Sequence, residues 1–418
     1  MRIQQVLTSP ARGGFFNDDQ MAVRADARRD GFDYTGPPRT RGFRRVREPG
    51  EALSVLLVLS DGGVAVGDCA AVQYAGVAGR DPLFHAAEGS QLIARFVAPL
   101  LTGHEVTTFR DLADQIEELD ADGSPLPTAV RYGVSQAVLD AVARASRRTM
   151  AEVVRDEFGT EAPLRRVPIF AQSGDDRYAG VDKMILKEVD ALPHGLINNV
   201  EEKVGSRGEK LDAYLHWVRD RIVALRRRPD YHPVIHVDVY GTIGLIFDLR
   251  TEDVASYLAR LGEATAPFQL RVEHPVDAGS RDGQIEACAS LRTALDNLGS
   301  EVQIVVDEWC NTLDDIRAFV DARAADMVHV KTPDLGGMQR TAEALIMVKR
   351  AGLAAYCGGT CNETDRSAQV CAHVAMACGA DLLLAKPGMG VDEGLMIVDN
   401  EMRRVLALTQ ARAGLAMQ

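Results

Sequence analysis

The sequence contains little that would staple or anchor a chain. It has seven cysteines among 418 residues, an odd number at low density. That excludes a disulfide scaffold and predicts free thiols in a reducing compartment. Cys357 and Cys361 stand at a metal-like spacing, but no second Cys or His pair supports zinc. No hydrophobic run is long enough to span a bilayer; Val55–Leu59 is the longest aliphatic run near the start. The opening MRIQQVLTSPARGGFF has no apolar stretch of the kind a signal peptide needs, so a cytoplasmic location is expected. Positive charge is also short. Lys and Arg number 47 against 60 Asp and Glu, a net −13. General affinity for nucleic acid or an anionic membrane is therefore not expected, because phosphate binding needs a cationic surface. The basic run Arg219, Arg221, Arg226, Arg227 and Arg228 has no interleaved aromatics and reads as a solvated helix end. Low-complexity segments and sequence repeats are absent.

What is present is an ordinary globular composition, 46% hydrophobic and 26% charged. The length favours two or three domains. Residues 1–160 read as a small α+β domain. Met1–Leu7 is a short strand, and Ser54–Leu59 and Val64–Gly67 flank a hairpin turn at Asp61-Gly62-Gly63. Between them Gly13–Phe43, rich in Gly, Pro, Asp and Arg, reads as one long loop. Helical periodicity follows over 84–101, 107–118 and 128–146.

From residue 161 the pattern changes. Eight short apolar runs alternate with helical stretches: Val167–Gln172, Leu192–Ile197, Val234–Val239, Leu270–Glu273, Gln303–Asp307, Met327–Lys331, Ala354–Cys357 and Leu382–Ala385. Eight strands alternating with helices predict a closed parallel βα barrel of TIM type over 161–418, capped by the N-terminal α+β domain. A doubly wound open sheet is the alternative. It would normally carry a glycine-rich phosphate turn after its first strand, and AQSGDDRY is not one.

Barrel enzymes place their chemistry at the C-terminal ends of the strands. Here three consecutive strands end in acids, Asp238, Glu273 and Asp307, spaced by 35 and 34 residues. One such acid is usually a helix cap or a salt-bridge partner. Three at one height repel each other unless a cation neutralises them, and an all-oxygen set suits Mg²⁺ or Mn²⁺. Lys331 ends the next strand. Nearby positive charge and burial are expected to lower its pKa, making it usable as a base. His194, on the second strand, lies across the barrel from the sixth, so His194 and Lys331 face a substrate from opposite sides. This geometry suits removal of a proton α to a carboxylate, which magnesium acidifies. His236 faces inward one layer below Asp238 and reads as a core histidine. His274 and Glu308 point away from their neighbours and Lys386 reads as a loop or salt-bridge lysine. In Gly358-Gly359-Thr360-Cys361, consecutive backbone N–H groups form a candidate anion nest. The Thr360 hydroxyl and the amides of Gln172 and Gln73 are further candidate donors. Phe170, Tyr356 and Leu384 fall near three strand ends and could line a small apolar pocket.

Eight stretches carry a closer likeness: GDCAAVQYAG (67–76), FAQSGDDRY (170–178), LINNVEEK (196–203), HVDVYGTIG (236–244), DEWCNT (307–312), KTPDLGG (331–337), AYCGGTCNET (355–364) and AKPGMGVDEG (385–394). Through them the chain, from about residue 1 to 408, resembles the methylaspartate ammonia-lyases (3-methylaspartases) of the enolase superfamily. The resemblance implies a carbon–nitrogen lyase that reversibly eliminates ammonia from (2S,3S)-3-methylaspartate to give mesaconate. It implies Asp238, Glu273 and Asp307 as Mg²⁺ ligands, Lys331 as the base for the C3 proton, and His194 as the opposing acid/base for the other epimer. Gln172, Thr360 and the Cys361 backbone would hold one carboxylate of the dicarboxylate amino acid. The other carboxylate would reach Mg²⁺ and His194. Gln73 would reach over from the N-terminal domain, and Phe170, Tyr356 and Leu384 would enclose the methyl group. A homodimer activated by K⁺ and a place in glutamate breakdown are likewise implied. One departure stands out: His329 occupies a position where the family carries Gln, which bears on recognition of the amine or a carboxylate. Other enolase-type reactions, such as those of a dehydratase, racemase or cycloisomerase, share the same strand-end logic. A Schiff-base aldolase using Lys331, or a non-catalytic barrel, fits the three acids less well.

Overall fold

A computed structural model describes residues 1–25, 27–77 and 79–416. Eight parallel strands close into a barrel: β6 (Ile169–Gly174), β7 (Ala191–Gly195), β8 (Val234–Asp238), β9 (Leu270–Glu273), β10 (Gln303–Val306), β11 (Met327–Val330), β12 (Ala354–Cys357) and β13 (Leu382–Leu384). Each predicted run supplies one strand. They follow chain order around the barrel, and β13 pairs with β6 to close it. The strands are short and almost wholly buried, as expected when helices cover a parallel sheet. The register puts Asp238 beside Glu273, and Glu273 beside Val305. The acids therefore share one rim.

Ahead of the barrel lies an antiparallel sheet in the order β1 (Ile3–Asp18), β4 (Arg47–Leu59), β5 (Val64–Cys69). The expected hairpin joins β4 to β5, with Val58 opposite Val64 and Leu59 N donating to the Gly63 carbonyl at 2.8 Å. Helix Thr128–Ala145 packs on this sheet at very close range. A Cβ on Gly133 would meet Cys69 N at 2.3 Å, and one on Gly67 would meet the Gly133 carbonyl at 2.2 Å. Glycine at both positions is what permits the contact.

The segment Gly13–Phe43 is not one long loop. β1 continues to Asp18 and pairs with β4 along most of its length. Helix Gln20–Ala25 and a small hairpin of β2 (Arg28–Asp30) and β3 (Asp33–Thr35) follow. The glycines have a packing reason: a Cβ on Gly14 would strike Pro387 Cβ at 2.4 Å and the Cys361 carbonyl at 2.8 Å. The strand is thus glycine-rich because it passes over the barrel mouth. Asn362 Nδ2 donates to the Phe16 carbonyl and to Asn17 Oδ1, and Gly14 N donates to the Glu363 carbonyl. These bonds seat the N-terminal sheet on the loop after β12. The predicted helix 84–101 is real but contains a wider π-helical turn at Ile93–Val97. No described helix is long and apolar enough to cross a membrane.

Candidate active site at the capped barrel mouth

The pocket under the N-terminal sheet is lined by Gln73, Gln172, His194, Asp238, Asp307, His329, Lys331, Thr360, Cys361 and Leu384. Tyr74, Arg80, Tyr240, Glu308 and Met389 line it as well, and composition alone did not single them out as lining residues. Asp238, Glu273 and Asp307 are all buried. His194, on β7, and Lys331, just after β11, are four strands apart whichever way round the barrel one counts. They stand across the mouth from each other.

Each acid has found its nearest donors. Glu273 Oε1 takes His329 Nδ1 at 2.7 Å, and Oε2 takes His236 Nε2 at 3.0 Å. Burial alone would raise this carboxyl, but His329 and His236 hold it well below the usual range. Asp238 Oδ1 accepts the Tyr240 N–H at 3.2 Å, and His194 Nε2 lies 3.8 Å from Oδ2. Burial, then the charges of Glu273 and Asp307, push Asp238 far upward. Lys331 Nζ sits 2.9 Å from Asp307 Oδ2 and 2.7 Å from Oδ1, the latter at an angle too poor for a hydrogen bond.

Several expectations are corrected. Burial does push Lys331 down, but Asp307 and Glu308 overcome it and hold the amine protonated, above its ordinary pKa. The Gly358–Cys361 nest is largely committed. Gly358 N donates to the Val330 carbonyl, Gly359 N to His329 Nε2 and Thr360 N to Glu363 Oε1. The Cys361 N–H is the member of the four with no partner among the described residues. The Thr360 hydroxyl accepts from Gln73 N at 3.2 Å. Gln172 lines the pocket, yet its Nε2 donates to the Ala385 and Gly388 carbonyls and points to the loop after β13. Gln73 Nε2 likewise donates to Asp18 Oδ2 at 3.0 Å. Leu384 is on the pocket wall; Phe170, its register partner, and Tyr356 do not line the pocket but are fully buried in one cluster with Leu384, Val305 and Met327. His236 is more than core filling. It is buried, stacked on Phe170 at 4.1 Å, and braces Glu273, with its pKa pushed by burial down to about 4. Lys386, in the loop after β13, is the expected salt-bridge lysine, fully buried against Glu363 at 2.7 Å.

The tightest group with metal-ligand chemistry is Glu273, Asp307 and His329, whose ligand atoms lie within 4.8 Å of one another. Asp238 stands outside that set, turned to the Tyr240 N–H. Buried carboxylates on adjacent strands, one oxygen of Asp307 lacking a well-directed hydrogen bond, fit a hard divalent cation.

A closed βα barrel with a polar, acid-lined mouth, roofed by an N-terminal sheet, defines a capped barrel enzyme. Models of the methylaspartate ammonia-lyase N-terminus and C-terminus match residues 1–159 and 162–411. The methylaspartate ammonia-lyase of Clostridium tetanomorphum is 55% identical over 412 residues, 99% of this chain and 100% of that protein. The Mg complex of β-methylaspartase from the same organism superposes with a TM-score of 0.95, covering 99% of this chain and 100% of that one, at 55% identity. The Citrobacter amalonaticus enzyme containing (2S,3S)-3-methylaspartic acid gives 0.96 at 52% identity, covering 98% and 100%. The chain belongs to the methylaspartate ammonia-lyase family.

Proposed function

We propose that this chain reversibly eliminates ammonia from (2S,3S)-3-methylaspartate to give mesaconate, using a divalent cation at the barrel mouth. The observation that carries the reading is Lys331 and His194 facing each other across buried strand-end carboxylates. Asp238, Glu273 and Asp307 are assigned as ligands of Mg²⁺, with Mn²⁺ as a substitute. His329 is set aside as a ligand on proton grounds. Its Nε2 accepts the Gly359 N–H, so the ring proton sits on Nδ1, facing Glu273. A protonated nitrogen cannot coordinate, and His329 instead orients Glu273 beside the substrate.

When bound, the cation draws off the negative charge that develops on a substrate carboxylate as the C3 proton leaves. Lys331 first releases its own proton to solvent, leaving the neutral amine. It then takes the C3 proton; the C3–H electron pair forms the C2–C3 double bond, and the C2–N bond breaks with its pair leaving on ammonia. His194, kept neutral by burial despite Glu273 and Asp307, is the proton acceptor on the opposite face for the other epimer. Gln73, Gln172, Thr360 and the Cys361 N–H are assigned to one carboxylate; this requires the two amides to turn from their present partners. Leu384 is assigned to the methyl group, with Phe170 and Tyr356 packed behind it in the same buried cluster.

The same reading divides the chain into a capping domain, 1–160, and a catalytic barrel, 161–418. It also takes the enzyme as a K⁺-activated homodimer. Seven buried free thiols fit a cytoplasmic, reducing home, and the net charge of −13 fits no nucleic-acid partner. The test is spectrophotometric: mesaconate absorbance with each 3-methyl epimer, with and without Mg²⁺, while ammonia and water release are compared over small dicarboxylates. Water release, or metal-independent turnover, overturns the proposal.

A further inference from the structure

Arg80, in the N-terminal loop beneath the sheet, is nearly buried, its side chain 3% exposed, and it borders the pocket. Its guanidinium is a fork over two barrel loops. Nε donates to Asp334 Oδ2 at 2.8 Å, and Nη2 donates to Glu308 Oε2 at 2.7 Å and to Asn311 Oδ1 at 3.4 Å. Glu308 and Asn311 follow β10, the strand that leads into Asp307. Asp334 follows β11, and its N–H donates to the Lys331 carbonyl at 3.1 Å. One buried side chain from the cap thus spans the two strand ends that carry Asp307 and Lys331. The free oxygen of Glu308, Oε1, lies 3.7 Å from Lys331 Nζ. With one oxygen clamped by Arg80, the other is fixed on the lysine side. A planar, bidentate arginine suits this task better than a lysine, which holds one partner as a point charge.

We infer that Arg80 is a positioning residue for proton transfer on the Lys331 face: from the cap, it fixes Glu308 and the β10 and β11 loops so that the Lys331 amine is aimed at the substrate. The inference rests on Lys331 being the base of the proposed reaction. It predicts an asymmetry that a merely structural clamp lacks. Misaiming Lys331 slows the epimer whose C3 proton faces Lys331 and spares the epimer whose proton faces His194.

The experiment compares Arg80→Ala, Arg80→Lys, Glu308→Gln and Lys331→Ala with the parent enzyme, using both 3-methyl epimers and C3-deuterated (2S,3S) substrate. Displacement of a reacting group by an ångström costs about 100-fold. Arg80→Ala is accordingly expected to lower kcat for the (2S,3S) epimer about 10- to 100-fold, with KM within about threefold. The C3 deuterium effect should rise, while the other epimer loses much less. Arg80→Lys should recover only part of the rate. Glu308→Gln should show the same asymmetry, and it gives the reading if Arg80→Ala does not fold. Equal losses on both epimers, or none in either Arg80→Ala or Glu308→Gln, overturn the inference while Lys331→Ala remains inert. A Lys331→Ala variant as active as the parent overturns the base assignment itself, and the inference with it.

Discussion

Replacing Lys386 by methionine removes a buried ammonium and leaves its partner behind. Lys386 and Glu363 are both fully buried, 2.7 Å apart. Lys386 Nζ also donates to the Gly358 carbonyl at 2.5 Å and to Thr332 Oγ1 at 3.1 Å. Breaking a buried ion pair from one side typically costs about 3–5 kcal/mol, because a charge is stranded in a poor dielectric. Here Glu363 keeps the Tyr132 hydroxyl at 2.6 Å, Thr332 Oγ1 at 3.2 Å, Thr360 N at 3.2 Å and, more weakly, the Cys371 thiol at 3.9 Å. They put the expected loss at the low end, about 3 kcal/mol. Adding Glu363→Gln removes the stranded charge while keeping an acceptor, so the double variant should regain about 2 kcal/mol over the single one. Urea unfolding followed by circular dichroism and by activity measures both. The single variant should also bind substrate more weakly, since Gly358 and Thr360 hang from this pair. A single variant within about 1 kcal/mol of the parent, or a double variant no better than the single, refutes the reasoning.

Gly358→Ala tests the packing of His329. The added Cβ would fall 1.8 Å from Nε2 of a ring already held by Glu273 and tilted against Tyr356 with centroids 4.3 Å apart; kcat/KM should drop about 100-fold, read by the mesaconate assay. Glu401 tests acid stability. Burial would raise its carboxyl, but His373 and then Arg404 hold it at about 2 against an ordinary 4.5. Its contribution is complete above pH 4.5 and is lost as pH falls toward 2, so Glu401→Gln should flatten the acid limb of stability by roughly 2 kcal/mol, checked by urea midpoints across that range. Exhaustive chelation should leave less than about a hundredth of the activity, and Mg²⁺ should restore it.

The sequence made the barrel legible because parallel strands buried on both faces leave short apolar runs at a regular beat. It made the acids legible because a barrel allows only one place for a strand's last side chain. What it hid was pairing. Gly13 and Gly14 look like loop residues, yet they are small because the strand crosses the barrel loops at contact distance. Asp307 and then Glu308 hold Lys331 charged, although strand alternation turned Glu308 away. The glycine pair promised free N–H groups, but the Val330 carbonyl and His329 Nε2 accept both of them. Likewise His236 reads as core from its strand position, while its bond to Glu273 is a matter of register.

On the proposed mechanism, Lys331 and His194 serve opposite faces of one substrate held between them. Mesaconate, ammonium and Mg²⁺ incubated with enzyme in D₂O, followed by proton NMR, tests it directly. The parent enzyme should deliver deuterium to C3 of (2S,3S)-3-methylaspartate, Lys331→Ala should lose that product, and His194→Ala should retain it while losing the 3R epimer. Delivery of deuterium to the 3S product by Lys331→Ala at the parent rate would contradict the account.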